Sequence, residues 1–259
     1  HAEGFAKRFG DDLPLLLESS KNGLFAMSGQ NGVCTKIIDI ARDCTIRFQT
    51  LLVQKRSCAM SETAERVRVI ESRVLSDDWY LLKKTVFEFR RADGSWQRQQ
   101  RETYDRGNGA TLLLYQPDSR RVVLTRQFRF PAFVNGHDGM MVETPAGLLD
   151  QATPEQRIRS AVEEETGYRG GEVRNVFEAF MSPGSVTEKL FFFVAEYDAA
   201  SKVSAGGGIE AEGEDIEVIE LPFEEALAMI RRGDIVDGKT IMLLQYAAMH
   251  LFDTPERGA

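Results

Sequence analysis

"GLLDQATPEQRIRSAVEEETGY", residues 147–168, carries the clearest structural signal in the chain. A glycine turn leads into a helical pattern that ends in three consecutive glutamates, a threonine and a glycine. Thr153 can cap the first turn while Gln156 reaches back as a capping box, and Pro154 suits the first helical position. We therefore predict a helix that begins near Pro154 and ends at Gly167.

The glutamates of this predicted helix do not share one face. Its buried face is predicted to run through Ile158 and Ala161. At ~100° per residue, Glu164 and Glu165 flank the line of position 161, whereas Glu163 points almost oppositely. Carboxylates on one helix face, opposite the backbone of a glycine turn, offer the oxygen ligands that divalent cations such as Mg²⁺ take. A solvated acidic helix end is the alternative interpretation, because glutamate runs are common in helices.

The composition is that of an ordinary globular protein. With 259 residues, 42% of them hydrophobic and 28% charged, the chain can bury a core in one or two domains. No apolar run approaches the ~20 residues of a membrane span, and no basic-then-apolar secretory signal opens the chain, so we predict a cytoplasmic protein without membrane contact. The net charge of −8 argues against nucleic-acid binding, which relies on Lys and Arg contacts to phosphate. The scattered cysteines and histidines, three of each, predict neither a zinc site nor a disulfide framework.

Residues 1–59 differ in composition from the rest of the chain. They hold all three cysteines and carry eight Lys and Arg against six Asp and Glu, whereas the remainder is strongly acidic. We predict that this segment is an accessory or non-native extension. A structural or partner-binding protein that uses the extension, with no nucleotide affinity, is one alternative function.

Alternating segments predict a β-rich platform around the helix. "WYLLKKTVFEF" and "QRQQRETY" indicate an antiparallel pair joined at Asp93–Gly94. Further strands are predicted in "GATLLLYQPDSRRVVLTRQFRF", which holds two, and in "GEVRNVFEAFMS", "KLFFFVAEY" and "EDIEVIELP". Two helices follow, the first closed by Gly233. This order predicts an α/β sandwich with a helix on each side of a mixed sheet.

The segment around the glutamate helix resembles the Nudix box. The general form of that box is a glycine, a glutamate six residues on, and a later Arg-Glu-x-x-Glu-Glu-x-Gly. Gly147 matches its beginning, and its end is matched by Glu164, Glu165, Gly167 and Tyr168. Further motifs match in order across about residues 66–252: "YDRGNGATLLLY", "RQFR", "MSPGSVTE", "EDIEV" and "DGKT". Together they resemble the GDP-mannose pyrophosphatases of the Nudix superfamily, with the ADP-ribose pyrophosphatases next.

This resemblance implies a fold and an activity. The implied fold is a Nudix α/β/α sandwich with a mixed sheet in residues 109–259, preceded by an N-terminal antiparallel β subdomain in residues 60–108. The implied reaction is hydrolysis of the diphosphate of a nucleoside diphosphate sugar, with GDP-mannose favoured, to a nucleoside monophosphate and a sugar 1-phosphate. The implied cofactor is Mg²⁺, with Mn²⁺ as the alternative. The implied assembly is a homodimer in which strands from about Val67 to Thr103 help build the partner's pocket.

The resemblance also implies roles for individual residues. It makes Glu188, Glu164 and Glu165 the catalytic residues, and it assigns the metal to Glu165, Glu188 and the carbonyl of Ala146. The implied substrate-binding residues are Tyr80, Arg101, Glu102, Arg129, Gly147 and Lys239. Two more acidic residues are expected to orient ligands: Glu143 and Glu178.

Position 161 departs from the box in a way that bears on catalysis. Ala161 stands where a glutamate is expected, and Ser160 and Thr153 also differ from the general form. Losing an anionic ligand weakens a metal site, since affinity depends on ligand charge. The alternative to an efficient enzyme is therefore a catalytically weakened Nudix protein that binds ADP-ribose or a nucleotide sugar.

Overall fold

The computed structural model describes residues 63–252, except for the side chain of Glu212. The predicted extension at residues 1–59 lies outside the described residues, so its status stays a prediction. The domain bounds at residues 60 and 108 stay predictions as well.

The first three strands form an antiparallel sheet of their own, in the order β1-β2-β3. These strands are β1 (Val67–Asp77), β2 (Leu81–Arg90) and β3 (Trp96–Asp105). The predicted hairpin of β2 and β3 is confirmed. It turns where Gly94 adopts a φ of 85°, which glycine tolerates, and Asp93 accepts a hydrogen bond from the Ser95 amide at 2.9 Å. Every residue of β1 is exposed, so the described part of the chain leaves this strand uncovered.

The main sheet has seven strands, with the continuous order β10-β5-β4-β9-β8, β6 beside β5 and β7 beside β4. They are β4 (Gly109–Gln116), β5 (Arg121–Phe128), β6 (Met140–Glu143), β7 (Ala146–Leu148), β8 (Arg174–Phe180), β9 (Lys189–Glu196) and β10 (Glu217–Pro222). β4 and β9 run parallel and the other pairs are antiparallel, so the sheet is mixed, as predicted. β5 and β7 share one edge of β4, pairing with residues 114–116 and 109–111 respectively. This split brings the glycine turn against the middle of the sheet.

Within residues 63–252, four helices accompany the main sheet. They are α1 (Phe130–Val134), α2 (Pro154–Thr166), α3 (Phe223–Arg232) and α4 (Gly238–His250), with short 3₁₀ turns at Ala199–Ser201 and Glu210–Glu212. The predicted bounds of α2 are confirmed. Thr153 and Gln156 form the reciprocal capping box, and Gly167 closes the helix with a φ of 76°.

The sheet is buried on both faces. Leu112 of β4 packs in one cluster with Ile158 and Val162 of α2. The next residue, Leu113, points to the other face and packs in a second cluster with Leu243 of α4. Helices on both faces of a mixed sheet make the α/β/α sandwich that the sequence predicts.

Short elements account for what the sequence patterns do not predict. α1, β6 and β7 have five, four and three residues, too few to show a period. No helix within residues 63–252 is long and apolar enough to span a membrane.

Candidate active site

The backbone of β7 packs directly on α2 at Gly147. A Cβ atom at this position would lie 3.0 Å from Nε of Arg157 and 3.2 Å from Cβ of Ala161. These separations are tighter than ordinary side-chain contacts, so the close approach favours glycine. The glycine turn therefore lies over the helix face on which Glu164 and Glu165 are predicted.

Glu165 is the buried carboxylate of this face, with 5% of the residue exposed. Its Oε1 accepts a hydrogen bond from the amide of Ala146 at 3.3 Å, and its Oε2 is buried without a hydrogen-bond partner among the described residues. Burial raises the pKa of Glu165 to about 8, against the opposing hydrogen bond from Ala146. Glu214 raises this pKa further, whereas Arg129 and Lys239 lower it. A buried carboxylate oxygen without a partner requires a proton or a cation beside it.

Glu143 holds two predicted substrate-binding residues together. Its Oε2 lies 2.8 Å from Nη2 of Arg129 and 3.1 Å from Nζ of Lys239, which also lies 3.0 Å from Asp237. Burial opposes ionisation of Glu143, but Lys239 and Arg129 outweigh it and hold the pKa of this carboxyl below its usual value. The side chain of Glu143 is buried, whereas that of Arg129 is 43% exposed. Arg129 is therefore fixed from behind by Glu143 and remains open to a ligand.

Three buried threonines connect the segment before β7 to α4. Oγ1 of Thr144 lies 2.8 Å from Oγ1 of Thr111, and the Thr144 amide donates to Oγ1 of Thr240 at 2.7 Å. Thr240 in turn donates to Asp237, the N-cap of α4, at 2.6 Å. No sequence pattern indicates a role for these threonines or for Asp237, because isolated threonines show no period and their contacts span distant parts of the chain.

Glu188 lies at the junction of the two sheets. Its Oε1 is 3.4 Å from Nε of Arg106, whose guanidinium carbon lies 5.6 Å from the ring centroid of Tyr80. The loop before Glu188 is tied to β3, because the Thr187 amide donates to the carbonyl of Tyr104 at 3.1 Å. Arg106 stands in "YDRGNG", where nothing in its spacing indicates a partner more than eighty residues away.

Gly109 at the start of β4 brings Glu188 close to the glycine turn. A Cβ atom at Gly109 would lie 3.3 Å from the carbonyl oxygen of Gly147 and 3.6 Å from Oε1 of Glu188. The acidic residue after the S-P-G loop and the turn before α2 therefore both lie close to Gly109.

Glu164 is paired with Arg157, which no sequence motif marks as a site residue. Its Oε2 lies 3.1 Å from Nη1 of Arg157, on the preceding part of the same helix. Glu163 points away, as predicted from the helical period, and pairs with Arg169 at 2.9 Å. The three consecutive glutamates thus have three environments: Glu163 faces outward, Glu164 pairs within its own helix, and Glu165 is buried.

Other predicted residues lie apart from these glutamates. Arg101 of β3 donates to the carbonyl of Gln100 at 2.7 Å and to Gln99 at 3.1 Å, and its neighbour Glu102 lies opposite Lys84 of β2. In the described part of a single chain, neither Arg101 nor Glu102 pairs with a site glutamate. Glu178 pairs with Lys189 at 2.7 Å, on the edge of the main sheet.

Comparison with known proteins identifies the family. The chain is 55% identical over 182 residues to the GDP-mannose pyrophosphatase of Pectobacterium atrosepticum, which covers 70% of this chain and 93% of that protein. It is 55% identical to the protein of the same name from Klebsiella pneumoniae, over 70% of this chain and 90% of that one. The Escherichia coli O1:K1 protein is 51% identical over 73% of this chain and 99% of its own length. The chain belongs to the GDP-mannose pyrophosphatase family of the Nudix superfamily.

Two further similarities agree with membership of the GDP-mannose pyrophosphatase family. Residues 66–104 match the family model described as the GDP-mannose pyrophosphatase NudK N-terminal domain, which spans almost all of β1 to β3. A solved structure described as an ADP compounds hydrolase superposes with a TM-score of 0.56 over 72% of this chain and 94% of that one. Its sequence identity is 14%, so this likeness concerns the fold, and it confirms the predicted Nudix architecture.

Nudix pyrophosphatases, the class to which this family belongs, generally need a divalent metal ion. The unpartnered Oε2 of Glu165 is an oxygen ligand of the kind that suits a divalent cation. Within residues 63–252, no three His, Cys, Asp or Glu side chains are grouped closely enough to form a metal site as they stand. The other two candidate carboxylates, those of Glu164 and Glu188, face arginines instead.

Proposed function

We propose that the chain hydrolyses GDP-mannose to GMP and mannose 1-phosphate with the help of a divalent ion, Mg²⁺ or alternatively Mn²⁺. The observation that carries this proposal is the buried, unpartnered Oε2 of Glu165 beside the glycine turn, in a chain whose 51–55% identical relatives are GDP-mannose pyrophosphatases. The binding-only alternative rests on Ala161, and the relatives do not favour it.

Three groups are proposed to hold the metal: the carboxylates of Glu165 and Glu188 and the carbonyl of Ala146. A bound divalent ion polarises phosphoryl oxygens and lowers the pKa of water. The amide of Ala146 holds Glu165 in place by a hydrogen bond. The turn above it leaves no room for a side chain at Gly147. Glu164 assists from the rim of the site, where its side chain is 35% exposed.

The diphosphate is cleaved by a water molecule whose oxygen bonds to phosphorus as the bridging P–O bond breaks. Glu188 is the proposed acceptor of the water proton, because its carboxylate lies beside the glycine turn with 14% of its side chain exposed. Arg129 offers a guanidinium to the phosphate oxygens, and Lys239 stands behind it as a second positive charge. Both cations hold their positions through Glu143, so the charge is preorganised before substrate arrives.

The remaining proposed substrate contacts come from the N-terminal sheet. The ring of Tyr80 lies next to Arg106, which pairs with Glu188. We propose that this ring stacks on the nucleotide base. Arg101 and Glu102 do not reach the site glutamates of their own chain, which agrees with a homodimer in which they complete the partner's pocket. The exposed apolar residues of β1 support such an interface, since Val69 is 65% and Ile70 51% exposed.

Two further expectations accompany this function. A net charge of −8 makes a nucleic-acid partner unfavourable. The proposed location is the cytoplasm, where nucleotide sugars are available as substrates.

The deciding experiment measures phosphate released by a coupled alkaline phosphatase, which acts on GMP and mannose 1-phosphate. GDP-mannose and ADP-ribose are compared with Mg²⁺, and GDP-mannose is expected to be the better substrate. Glu165→Gln should lower turnover by roughly a hundredfold or more, since it removes the ionised ligand. Glu163→Gln is the matched control, because Glu163 lies two residues away and faces outward.

The variant Ala161→Glu separates the remaining alternatives. Clear turnover by the natural sequence means that Glu164, Glu165 and Glu188 suffice. Turnover that appears only in Ala161→Glu would contradict the proposal and favour the weakened, binding-only protein.

A further inference from the structure

The space beside Ala161 is occupied by Arg157. A Cβ atom built on Gly147 would lie 3.0 Å from Nε and 3.1 Å from Cζ of Arg157, and 3.2 Å from Cβ of Ala161. The guanidinium and the small side chain at 161 therefore lie side by side under the glycine turn. A cation therefore lies beside the position at which the general Nudix box has a carboxylate.

The Arg157 guanidinium is held on two of its nitrogens. Nε donates to the carbonyl of Leu148 at 3.1 Å, and Nη1 donates to Ser160 at 3.2 Å and to Glu164 at 3.1 Å. These contacts join the strand β7 to one face of α2. With 26% of its side chain exposed, Arg157 is fixed in the wall of the site and is not a solvated surface arginine.

Among the described residues, one donor group of this arginine has no hydrogen-bond partner. Nη2 makes no hydrogen bond with any of the described residues, whereas Nε and Nη1 are both used. A guanidinium with a fixed plane and a free N–H edge is suited to a phosphate oxygen. Its positive charge also lies next to Glu164, whose negative charge it compensates and which is one of the carboxylates proposed to assist metal binding.

We propose that Arg157 is a built-in cation of the site, which binds the diphosphate group directly and replaces part of the charge that divalent ions otherwise supply. This assignment rests on the proposed function only for the identity of the ligand, a nucleoside diphosphate. It has two consequences of opposite sign. Arg157 strengthens diphosphate binding in the absence of metal, and it weakens metal binding in the absence of diphosphate.

A purely structural role makes a different prediction. If Arg157 only ties β7 to α2 through Leu148, its removal loosens the glycine turn, and affinity for both ligands falls together. The two roles are therefore distinguished by whether the GDP and Mn²⁺ affinities change in opposite directions or fall together, and not by the loss of activity.

The experiment uses the full chain and compares Arg157→Gln with Arg159→Gln. Arg159 lies on the same helix and carries the same charge, but it pairs with Glu155 at 3.0 Å and donates to the carbonyl of Gly171 at 3.1 Å. GDP binding is measured by calorimetry in EDTA, and Mn²⁺ binding to the metal-free protein is measured by electron paramagnetic resonance. For Arg157→Gln, the GDP affinity should fall about tenfold or more, as for a lost charge-assisted hydrogen bond. The Mn²⁺ affinity should rise several-fold, because a nearby positive charge is removed and Glu164 is released.

Each other outcome overturns the assignment. Arg157→Gln affinities that stay within about twofold of those of Arg159→Gln would show that Arg157 binds neither ligand. A fall in both affinities would show the structural role. If the natural protein binds no GDP in EDTA, the built-in cation is also excluded.

If circular dichroism shows that Arg157→Gln does not fold, Arg157→Lys provides a second test. Lysine retains the charge but lacks the planar pair of donors, so Mn²⁺ affinity should stay unchanged while GDP affinity falls several-fold. A lysine variant that binds GDP as tightly as the natural protein would contradict the proposed contact. The proposed function is tested separately by GDP-mannose turnover. If that turnover is absent, the GDP and Mn²⁺ binding measurements still test the role of Arg157.

Discussion

Nε of Arg106 lies 3.4 Å from Oε1 of Glu188, and this ion pair joins the segment after β3 to the segment before β9. The guanidinium of Arg106 also lies against the ring of Tyr80, between β1 and β2. The segment that directly follows the N-terminal sheet therefore contacts the residue that we propose as proton acceptor. An N-terminal sheet in this position has a direct means of orienting the catalytic carboxylate.

Replacing Arg106 by glutamine should impair catalysis by mispositioning Glu188. We expect kcat for GDP-mannose to fall roughly tenfold, the usual effect of losing a partner that orients a catalytic ligand, with a smaller change in KM. Steady-state kinetics with Mg²⁺ measures this. Arg126→Gln is the control, because Arg126 pairs with Glu217 on the exposed side of β5. Equal activity of the two variants would contradict the role given to Arg106.

The buried carboxyl of Glu165 should make the metal-free protein less stable as the pH rises. Its pKa is about 8 in the folded protein and 4.5 as the reference value, so the unfolded chain loses this proton first. The contribution of Glu165 to the free energy of unfolding is therefore fully present below about pH 4.5 and is lost as the pH rises towards 8. Thermal unfolding in EDTA between pH 5 and pH 8 should show this decline, and Glu165→Gln should flatten it. A decline of the same size in Glu165→Gln and Glu163→Gln would assign it to other groups.

Glu143 should be important for stability because it neutralises two cations at a buried position. Glu143→Gln leaves Lys239, whose side chain is 12% exposed, with Asp237 as its one remaining counter-charge among the described residues. Breaking a buried pair from one side costs about 3 kcal/mol, which denaturant unfolding at neutral pH can measure. The pKa of Glu143 is shifted downwards, whereas that of Glu165 is shifted upwards. The stabilisation by Glu143 is therefore present above about pH 4.5 and is lost on acidification. An unfolding midpoint equal to that of Glu163→Gln would show that Glu143 is not a structural hub.

Gly147→Ala should strain the contact between β7 and α2. The added methyl group would meet Arg157 at 3.0 Å and Ala161 at 3.2 Å, and overpacking of this kind costs about 1–3 kcal/mol. Gly184→Ala is a matched control, since no heavy atom lies within 4 Å of the added Cβ atom. Denaturant unfolding of the two variants is the measurement. Equal stability would mean that Arg157 moves aside freely, which would also argue against Arg157 as a fixed cation of the site.

The uncovered strand β1 should contribute to a dimer interface. Light scattering should give a mass of about twice 29.1 kDa for the natural chain. Val69→Asp should give a monomer with reduced turnover, because Arg101 and Glu102 would no longer complete a partner's pocket. Met249→Asp is the control, since Met249 is also exposed, at 69%, but lies at the end of α4. A monomeric natural chain with full activity would exclude this assembly.

Local signals explain why the main features of the site helix are predictable. Thr153, Gln156 and Gly167 act within one turn of the helix ends, so the sequence specifies where α2 starts and stops. The helical period also separates Glu163 from Glu165 correctly. By contrast, β7 has three residues and depends on the edge of β4, so no pattern within it indicates a strand.

The sequence by itself determined the α/β/α class, the order of the main strands and helices, the ends of α2 and the family. Those properties follow from local periodicity, capping and motif order, which act between residues that are close in the chain. Only the tertiary structure decided the partners of the charged groups. Arg106 meets Glu188, Arg129 and Lys239 meet on Glu143, and Arg157 fills the space beside Ala161. Ion pairs depend on three-dimensional distance and burial, and neither quantity is encoded in the spacing of the residues along the chain.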